Sequence, residues 1–321
     1  LAVVPWPSGD IGALLALVLV GALVLAARYL RMQHPRWSPW RLRAGLCAGA
    51  AALVLLIPWL IAPRGWPMSD WLFVACDVGQ GDALVVRTGP NSAMLVDAGL
   101  DGRDVDRCLR QLHVTTLDVV VITHFHADHV GGLSEALRNR AVGAVFATPT
   151  LEPEGEAMRV QRALADRGLV LQSVRAGERH QLAAVSWQVL WPSREISQGS
   201  VPNNASVVLL VEVNGLRILL PGDVEPEAQA ALVAEQPAMN ADIAKVPHHG
   251  SRFQDPRFAQ WAQAQLAVVT VGEGNDYGHP AATALEEWAA TGAAIWRTDL
   301  QGSIAVARRE DGNLAVVALK S

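Results

Sequence analysis

The 321-residue sequence predicts an α/β fold in which two β-sheets are covered by helices on their outer faces. Many short apolar runs of strand length form two groups along the chain, and helical patterns lie between them. Several of these runs end in short polar segments. Because a sheet buries one face against another layer, two groups of strands with interspersed helices indicate two packed sheets. This pattern alone leaves other α/β arrangements open.

The first group of elements ends in a strand at 117–122, which we expect to be buried because it is a continuous apolar run. Gly89-Pro90-Asn91 predicts the turn between two earlier strands. The predicted elements of this group are strands at 71–76, 83–87, 93–96 and 117–122, and helices at 105–112 and 129–138.

The second group contains two predicted hairpins. Asn214-Gly215 and Asp311-Gly312 each lie between two β runs, and these dipeptides favour two-residue hairpin turns. The predicted strands are 185–190, 207–213, 216–220, 243–246, 266–271, 303–308 and 315–319, and the predicted helices are 156–166, 225–235, 257–265 and 282–290.

The first 66 residues contain two uncharged runs, 11–27 and 44–62, and the second is broken only by Pro58. Each is near the length that a bilayer span requires. Buried core helices are the alternative, but two such runs joined by a basic segment are unusual in soluble domains. We therefore predict two transmembrane helices in residues 1–66 and a separate domain in residues 67–321. Because the chain opens on Leu1, we expect it to be the C-terminal part of a longer polytopic membrane protein.

The segment between the two predicted spans is basic, and no acidic residue occurs from Ile11 to Ser69. Short basic loops remain in the cytoplasm. The second span would then run outward, which predicts a multi-pass protein of the cytoplasmic membrane whose second domain lies on the periplasmic side. The basic residues of the loop are Arg28, Arg31, Arg36, Arg41 and Arg43.

The second domain is acidic: from Pro67 onward 20 Lys and Arg stand against 30 Asp and Glu. Phosphate contacts come from basic side chains, so a DNA substrate would need metal ions or another domain to hold it. Two cysteines, Cys76 and Cys108, lie in this domain. An oxidising compartment would permit a disulfide, but we favour two separately buried thiols.

Residues 123–132 read Thr-His-Phe-His-Ala-Asp-His-Val-Gly-Gly, directly after the predicted strand at 117–122. Three imidazoles and a carboxylate in six positions predict a metal site, since both are ligands for zinc and neighbouring metals. His124 and His126 are predicted to face one ion, and Asp128 and His129 a second. A solvated polar loop is the alternative, but active-site loops commonly follow buried strands.

Three other polar segments follow apolar runs in the same way. Asp97-Ala98-Gly99 follows residues 94–96, Pro221-Gly222-Asp223 follows 216–220, and Pro247-His248-His249-Gly250-Ser251 follows 243–246. Groups at strand ends can converge on one edge of a sheet. A carboxylate such as that of Asp223 can bridge two ions, whereas a neutral imidazole cannot.

The segments THFHADHVGG, PGD and HHGS together resemble the metallo-β-lactamase superfamily. The additional segments DVGQGDA (77–83), PNNAS (202–206) and YGHP (277–280) are similar to its ComEC-like branch of DNA-uptake proteins. The resemblance covers about residues 70–320. It implies a four-layer αβ/βα sandwich, of mixed α/β (α+β) class, with a one- or two-metal site between the sheets.

The resemblance implies two divalent ions, Mn²⁺ or Zn²⁺. The sequence departs from the superfamily pattern at one position, because no histidine lies between Trp191 and Leu220 to complete the first site. We expect Asn204 in that role, and an amide oxygen is a weaker ligand than imidazole, so the first ion would be held weakly. The implied metal ligands are His124, His126, Asp128, His129, Asn204, the bridging Asp223 and His248.

The resemblance also implies residues for catalysis and substrate binding. Asp128 or Asp223 would orient the attacking water, and a water or His249 would protonate the leaving oxygen. His279 would contact the phosphate or donate a proton to it. For His249 and His279 the alternative is hydrogen bonding to a metal ligand, and for residues 77–82 it is a plain tight turn. The expected substrate-binding residues are Asp77, Gln80, Asp82, Asn203, Ser206 and His279.

The function implied is a metal-dependent phosphodiesterase that degrades the non-transported DNA strand outside the membrane during natural transformation. Its implied partners are incoming single-stranded DNA, the membrane, an upstream channel domain of the same polypeptide, a periplasmic DNA receptor and the type IV pilus machinery. Two alternatives remain open. One is hydrolysis of small phosphodiesters of the phosphorylcholine type, which the acidic charge suits. The other is a DNA-guiding module with a vestigial site, which the absent third histidine suggests.

Overall fold

Two mixed β-sheets face each other in the computed structural model, which describes residues 66–320 together with Arg28, Tyr29, Met32 and Gly49. The first sheet has the strand order β15-β14-β1-β2-β3-β4-β5-β6, and the second β13-β12-β11-β10-β9-β8-β7. The strands are β1 (Phe73–Ala75), β2 (Leu84–Arg87), β3 (Ser92–Val96), β4 (Thr116–Ile122), β5 (Ala141–Ala147), β6 (Leu171–Ser173), β7 (Arg179–Leu182), β8 (Val185–Trp191), β9 (Val208–Val213), β10 (Leu216–Leu220), β11 (Ile243–Lys245), β12 (Leu266–Val269), β13 (Ala294–Arg297), β14 (Ile304–Arg308) and β15 (Leu314–Ala318).

Helices connect the strands and cover the outer faces of both sheets. They are α1 (Gly102–Gln111), α2 (Ala127–Val130), α3 (Leu133–Leu137), α4 (Glu154–Ala165), α5 (Val201–Asn204), α6 (Pro226–Glu235), α7 (Phe258–Ala262), α8 (Ala282–Ala290) and α9 (Thr298–Gln301), with a short 3₁₀ turn at Pro247–Gly250.

Three apolar cores separate four layers. Successive side chains of a strand point to opposite faces, so Phe73 packs between the two sheets while its neighbour Val74 packs on the helix side of the first sheet. In the second sheet, Leu220 faces the first sheet and Leu219 faces the outer helices. The order of layers is therefore helix, sheet, sheet, helix, and the predicted two-sheet arrangement is confirmed.

Parallel pairing gathers the polar segments at one end of the sandwich. β3 pairs in parallel with β4, and β10 pairs in parallel with β11. The carboxyl ends of parallel neighbours lie at the same edge of a sheet, which is where ligands bind in α/β folds. The segments that follow these four strands begin at Asp97, Thr123, Pro221 and Val246.

The predicted helix at 129–138 is two short helices, α2 and α3, separated at Gly131-Gly132. A Cβ atom on Gly131 would lie 2.4 Å from the carbonyl oxygen of Leu100, and one on Gly132 would lie 2.2 Å from that of Ala98. Only glycine permits so close an approach of two backbones. The pair therefore lets the histidine-rich segment pack directly on the loop that follows β3.

Cys76 and Cys108 form a disulfide between the end of β1 and helix α1. The expectation of two separate thiols is therefore wrong. Both residues are buried, as expected, but the register of α1 on the first sheet brings the two side chains together. Nothing in the spacing of the two cysteines along the sequence indicates this contact.

Replacing both cysteines by serine is expected to lower the free energy of unfolding by about 3–4 kcal/mol, because the disulfide closes a loop of 32 residues that the unfolded chain would otherwise explore. Urea unfolding of the wild-type chain and of the double variant measures this difference. Dithiothreitol should destabilise only the wild-type chain. Equal sensitivity of the two proteins to dithiothreitol would contradict the pairing.

The predicted membrane span at 11–27 lies outside the described residues, and of the span at 44–62 only Gly49 is described. Within the part of the chain that is described, no helix combines the length and the apolar character that a bilayer crossing needs.

Candidate metal centre

Four side chains converge at the end of the sandwich, and three of them are buried: His129, Asp223 and His249. Together with Asp128 they offer four ligand atoms that all lie within 4.8 Å of one another. The Oδ2 atom of Asp223 lies 3.1 Å from Nε2 of His129 and 3.2 Å from Nε2 of His249. Nε2 of His249 is also 3.4 Å from Oδ2 of Asp128. Two imidazoles and two carboxylates form a donor set that suits zinc or manganese.

Each ligand is presented by a segment that follows a strand. Asp128 and His129 lie in α2 after β4, Asp223 follows β10, and His249 lies in the turn after β11. Gly81 lets a fourth segment approach, because a Cβ atom there would lie only 2.0 Å from the carbonyl oxygen of Asp128. The backbone N–H of Asp82 donates to that same carbonyl at 3.2 Å.

The two imidazoles are oriented by hydrogen bonds on their outer nitrogens. Nδ1 of His129 donates to Oδ2 of Asp97 at 2.8 Å, and Nδ1 of His249 donates to the Thr270 carbonyl at 2.8 Å. Nε2 of His249 is buried and makes no hydrogen bond to any residue that the structure describes. Metal-binding histidines usually donate their second ring nitrogen in this way. The buried Nε2 atom, which faces the carboxylates of Asp223 and Asp128 at 3.2 and 3.4 Å, therefore fits a metal ligand.

The charges of the site attract a cation. Burial disfavours a charged imidazole, but Asp223 and then Asp82 outweigh it and raise the pKa of His249 to about 9. Against the same burial, Asp223 and Asp97 raise the pKa of His129 well above its ordinary value. Without a metal, protons on the imidazoles balance the carboxylates. A divalent ion would supply the same positive charge when it replaces those protons.

Lys245 is an unexpected member of the site. Its ammonium group is fully buried and lies 2.7 Å from Oδ2 of Asp82, 2.8 Å from Oδ1 of Asp223 and 2.7 Å from the Gly222 carbonyl. Burial opposes its charge, but the two carboxylates outweigh burial and raise the pKa of Lys245. The interaction leaves Oδ2 as the oxygen of Asp223 that faces His129 and His249.

A sequence signal for Lys245 exists but was missed. The residue is the one charged member of the apolar run 243–246, and lysine is almost never fully buried unless it is paired. A charged residue inside a predicted buried strand therefore indicates a partner of opposite charge. The sequence does not say which carboxylate that partner is.

Asp82 and Asp97 form a second group with His129 and support this candidate ligand without belonging to the first group. Asp82 forms an ion pair with Lys245 and accepts a hydrogen bond from the Thr270 hydroxyl. Asp97 accepts from the backbone N–H and hydroxyl of Thr123 as well as from His129. Because these oxygens already have partners, the group orients His129. Asp82, which the sequence predicts to contact the substrate, instead lies behind the candidate ligands and supports them.

His124 and His126, which the sequence predicts to face one ion, lie side by side, with Nε2 of His124 3.0 Å from Nδ1 of His126. Nδ1 of His124 contacts the hydroxyls of Thr123 at 3.2 Å and Ser206 at 3.3 Å. Burial, and then the neighbouring His129, lower the pKa of His124 well below its usual value, so its imidazole is neutral, as a ligand must be. Among the described residues, no group of three His, Cys or acidic side chains forms around this pair.

Asn204 does not complete the first site. Its amide oxygen accepts the backbone N–H groups of Glu225 and Ala228 at the start of α6, at 3.1 and 3.3 Å. Its amide nitrogen donates to the Gln198 carbonyl and to Glu227. All four hydrogen-bonding positions of the amide are used, so Asn204 caps a helix. The prediction from the sequence is corrected, and the His124–His126 pair keeps no third ligand of its own.

The two histidines of the Pro247–Gly250 turn exchange their predicted roles. Nδ1 of His248 faces Glu225 at 3.5 Å, and the side chain is 21% exposed. His249 is the one that points into the group with Asp128 and Asp223. Both residues have a positive φ, 48° and 53°, which turns the second side chain inward where an extended backbone would not. The geometry therefore favours His249 over His248 as the candidate ligand.

The other residues predicted to bind substrate lie around the site, some of them buried beside the candidate ligands and some nearer the surface. The Ser206 hydroxyl accepts the Asp223 N–H at 3.2 Å and so positions a ligand. The Asn203 amide donates to Glu225 at 3.0 Å. Asp77 and Gln80 lie apart from the ligands, in the wall of a surface cavity of 510 Å³. The ring of His279 is half-buried and its centroid is 6.5 Å from that of His249.

Comparisons with curated proteins give two similar relatives. The chain is 26% identical over 280 residues to ComE operon protein 3 of Bacillus subtilis (strain 168), covering 81% of this chain and 35% of the relative. It is 27% identical over 278 residues to competence protein ComA of Neisseria gonorrhoeae, covering 80% of this chain and 37% of the relative. The chain thus spans about a third of the length of these relatives.

Similar folds occur among solved structures. Zn²⁺-bound PqqB from Methylobacterium extorquens is 14% identical with a TM-score of 0.49, and the match covers 70% of this chain and 97% of that one. The family that matches residues 76–255 is the metallo-β-lactamase superfamily. Because this match includes more than half of the sequence, the chain belongs to the metallo-β-lactamase superfamily.

Proposed function

We propose that this chain is a metal-dependent phosphodiesterase that cleaves DNA and serves DNA uptake during natural transformation. The observation that carries the proposal is the group formed by Asp128, His129, Asp223 and His249, in which two imidazoles and two carboxylates converge on one point. The similarity to two proteins named for competence supports the connection with DNA uptake.

In this proposal Asp128, His129, Asp223 and His249 hold one divalent ion, Mn²⁺ or Zn²⁺. His124 and His126, with the shared Asp223 carboxylate, hold a second ion more weakly. Bound divalent ions lower the pKa of water and stabilise charge on phosphoryl oxygens. The chain itself orients the ligands through Asp97, Thr270 and Lys245.

His279 is proposed to contact the substrate as a neutral imidazole. Burial, followed by the neighbouring His248 and His249, lowers the pKa of His279 to about 4. At neutral pH its ring can therefore orient a phosphate or sugar oxygen through a single N–H group. A proton for the leaving oxygen would come from water, because His249 belongs to the ligand set.

Residues 1–66 are proposed to form two transmembrane helices, with residues 67–321 on the periplasmic side of the cytoplasmic membrane. The Cys76–Cys108 disulfide supports this side, since disulfides persist in oxidising compartments. The upstream channel domain, the DNA receptor and the pilus machinery are partners that this arrangement would serve. A reporter fused after Ser69 that is active only in the cytoplasm would contradict the orientation.

Replacing Asp128 and His129 together by alanine is expected to reduce cleavage of single-stranded DNA at least about 100-fold, because two ligands of one ion are lost. The assay uses the purified chain with added Mn²⁺ and a fluorescent oligonucleotide. Asp166→Ala is the matched control, since this exposed carboxylate lies at the end of α4. Wild-type cleavage no faster than that of the double variant would refute the nuclease and leave the small-phosphodiester hydrolase and the DNA-guiding module.

A second candidate is hydrolysis of small phosphodiesters of the phosphorylcholine type. The charge balance of 20 basic against 30 acidic residues from Pro67 onward favours it, because polyanions are repelled. A chain that hydrolyses a phosphorylcholine ester and leaves the oligonucleotide intact would support this candidate over the nuclease.

A further inference from the structure

Tyr277 is an exposed aromatic residue beside the candidate metal centre. Its side chain is 72% exposed, and its ring centroid lies 6.1 Å from that of His279, with 29° between the two planes. The His279 ring in turn lies 6.5 Å from the buried ring of His249, again at 29°. Three roughly parallel rings thus run from solvent to a proposed metal ligand.

The loop that carries Tyr277 is ordered by its own hydrogen bonds. The Asn275 amide nitrogen donates to the carbonyls of Gly272 at 3.0 Å and His279 at 2.7 Å. Its amide oxygen accepts the N–H groups of Tyr277 at 3.1 Å and His279 at 3.3 Å. The Tyr277 ring is therefore presented in a defined position although most of its surface meets solvent.

The same loop is attached to the turn that carries His249. The N–H of Ala281 donates to the Gly250 carbonyl at 2.8 Å, and a Cβ atom on Gly250 would lie 2.7 Å from Cβ of Pro280. The spacing between the exposed ring and the metal centre is consequently held by the backbone. A substrate group stacked on Tyr277 would have a defined distance to a phosphodiester at His249.

Base stacking would compensate for the weak binding of a phosphate backbone by this acidic domain. An acidic surface grips a phosphate backbone poorly, whereas an aromatic ring binds the face of any base without using charge. In a duplex both faces of each base are covered by its neighbours. An exposed ring beside the centre therefore favours unpaired bases.

We infer that Tyr277 and His279 form a platform on which one base of a single-stranded nucleic acid stacks while the adjoining phosphodiester enters the metal centre. This inference rests on the proposed phosphodiesterase function. It adds the residues that select single strands over duplexes.

The test is steady-state cleavage of a fluorescent single-stranded oligonucleotide by the full chain with Mn²⁺. Tyr277→Ala is expected to raise KM about tenfold, the size of one lost base stack, with kcat changed by less than about twofold. Tyr277→Phe should remain near the wild-type KM because it retains the ring. A duplex of the same sequence should be cut more slowly, and Tyr277→Ala should not slow that reaction further.

A set of oligonucleotides with one abasic position each locates the stacked base. One abasic position should raise the wild-type KM as Tyr277→Ala does, and the variant should show no further increase on that substrate. If the wild-type chain cleaves single strands and Tyr277→Ala leaves KM unchanged, the platform is refuted while the nuclease stands. If the wild-type chain cleaves no DNA, the nuclease is refuted and the platform with it.

Discussion

Lys245→Met is expected to lower the free energy of unfolding of the metal-free protein by about 3–5 kcal/mol, because it leaves two buried carboxylates without their cation. The ammonium group contacts Asp82 at 2.7 Å and Asp223 at 2.8 Å, and it is fully buried. Methionine has a similar length and fills the apolar space along the side chain. Urea unfolding in the presence of a chelator measures the difference.

Two controls separate the ion pair from a packing defect. Asp82→Asn is expected to be destabilising alone, but the double variant with Lys245→Met should be at least about 1 kcal/mol more stable than the sum of the two losses. Saturating Zn²⁺ or Mn²⁺ should restore part of the stability of Lys245→Met, since a cation at Asp223 replaces the lost charge. Strictly additive losses without rescue by metal would contradict the role given to Lys245.

His249→Ala is expected to abolish retention of the tightly held ion and to reduce DNA cleavage at least about 100-fold. Mutation of a residue that only hydrogen-bonds to a metal ligand commonly lowers metal affinity or activity 10–100-fold, and loss of the ligand itself should cost at least as much. His248→Ala should keep its metal content within about twofold of wild type. The two variants are closely matched, because the residues are adjacent and share the same left-handed backbone conformation. Metal content after gel filtration, determined by mass spectrometry, provides a readout that does not depend on activity.

The opposite result would restore the assignment made from the sequence. Loss of metal from His248→Ala, with metal retained by His249→Ala, would mean that the turn presents its first histidine to the ion. The His249–Thr270 hydrogen bond at 2.8 Å and the partly exposed side chain of His248 argue for the outcome expected here.

Elements with a strong local pattern were predicted well. The strand Leu216–Leu220 and the helix Ala282–Ala290 have the bounds that the sequence predicts. The strand Ala141–Ala147 was missed, because four of its seven residues are alanine or glycine, which are uncommon in strands, yet it lies in the interior of the first sheet. The edge strand Arg179–Leu182 was missed because its residues are mostly polar.

In the candidate site, too, roles that depend on neighbouring residues were predicted, whereas roles that depend on distant contacts were not. Asp128 and His129 could be predicted because they lie together after a buried strand, and Asp223 because it follows another. The role of Asn204 could not, since it depends on N–H groups more than 20 residues away. An asparagine beside an apolar strand looks the same in the sequence whether it binds an ion or caps a helix.

From the sequence alone one learns which segments carry metal-binding side chains, that they follow apolar strands, and which superfamily they resemble. Ligand chemistry and strand patterning are both local properties, so a linear chain displays them. Only the tertiary structure decided that His249 and not His248 joins Asp128, His129 and Asp223 in one group, that Lys245 holds one oxygen of Asp223, and that Cys76 meets Cys108. Each of these three facts depends on the direction of a side chain or on the packing of distant elements. The spacing of residues along the chain determines neither the direction of a side chain nor such packing.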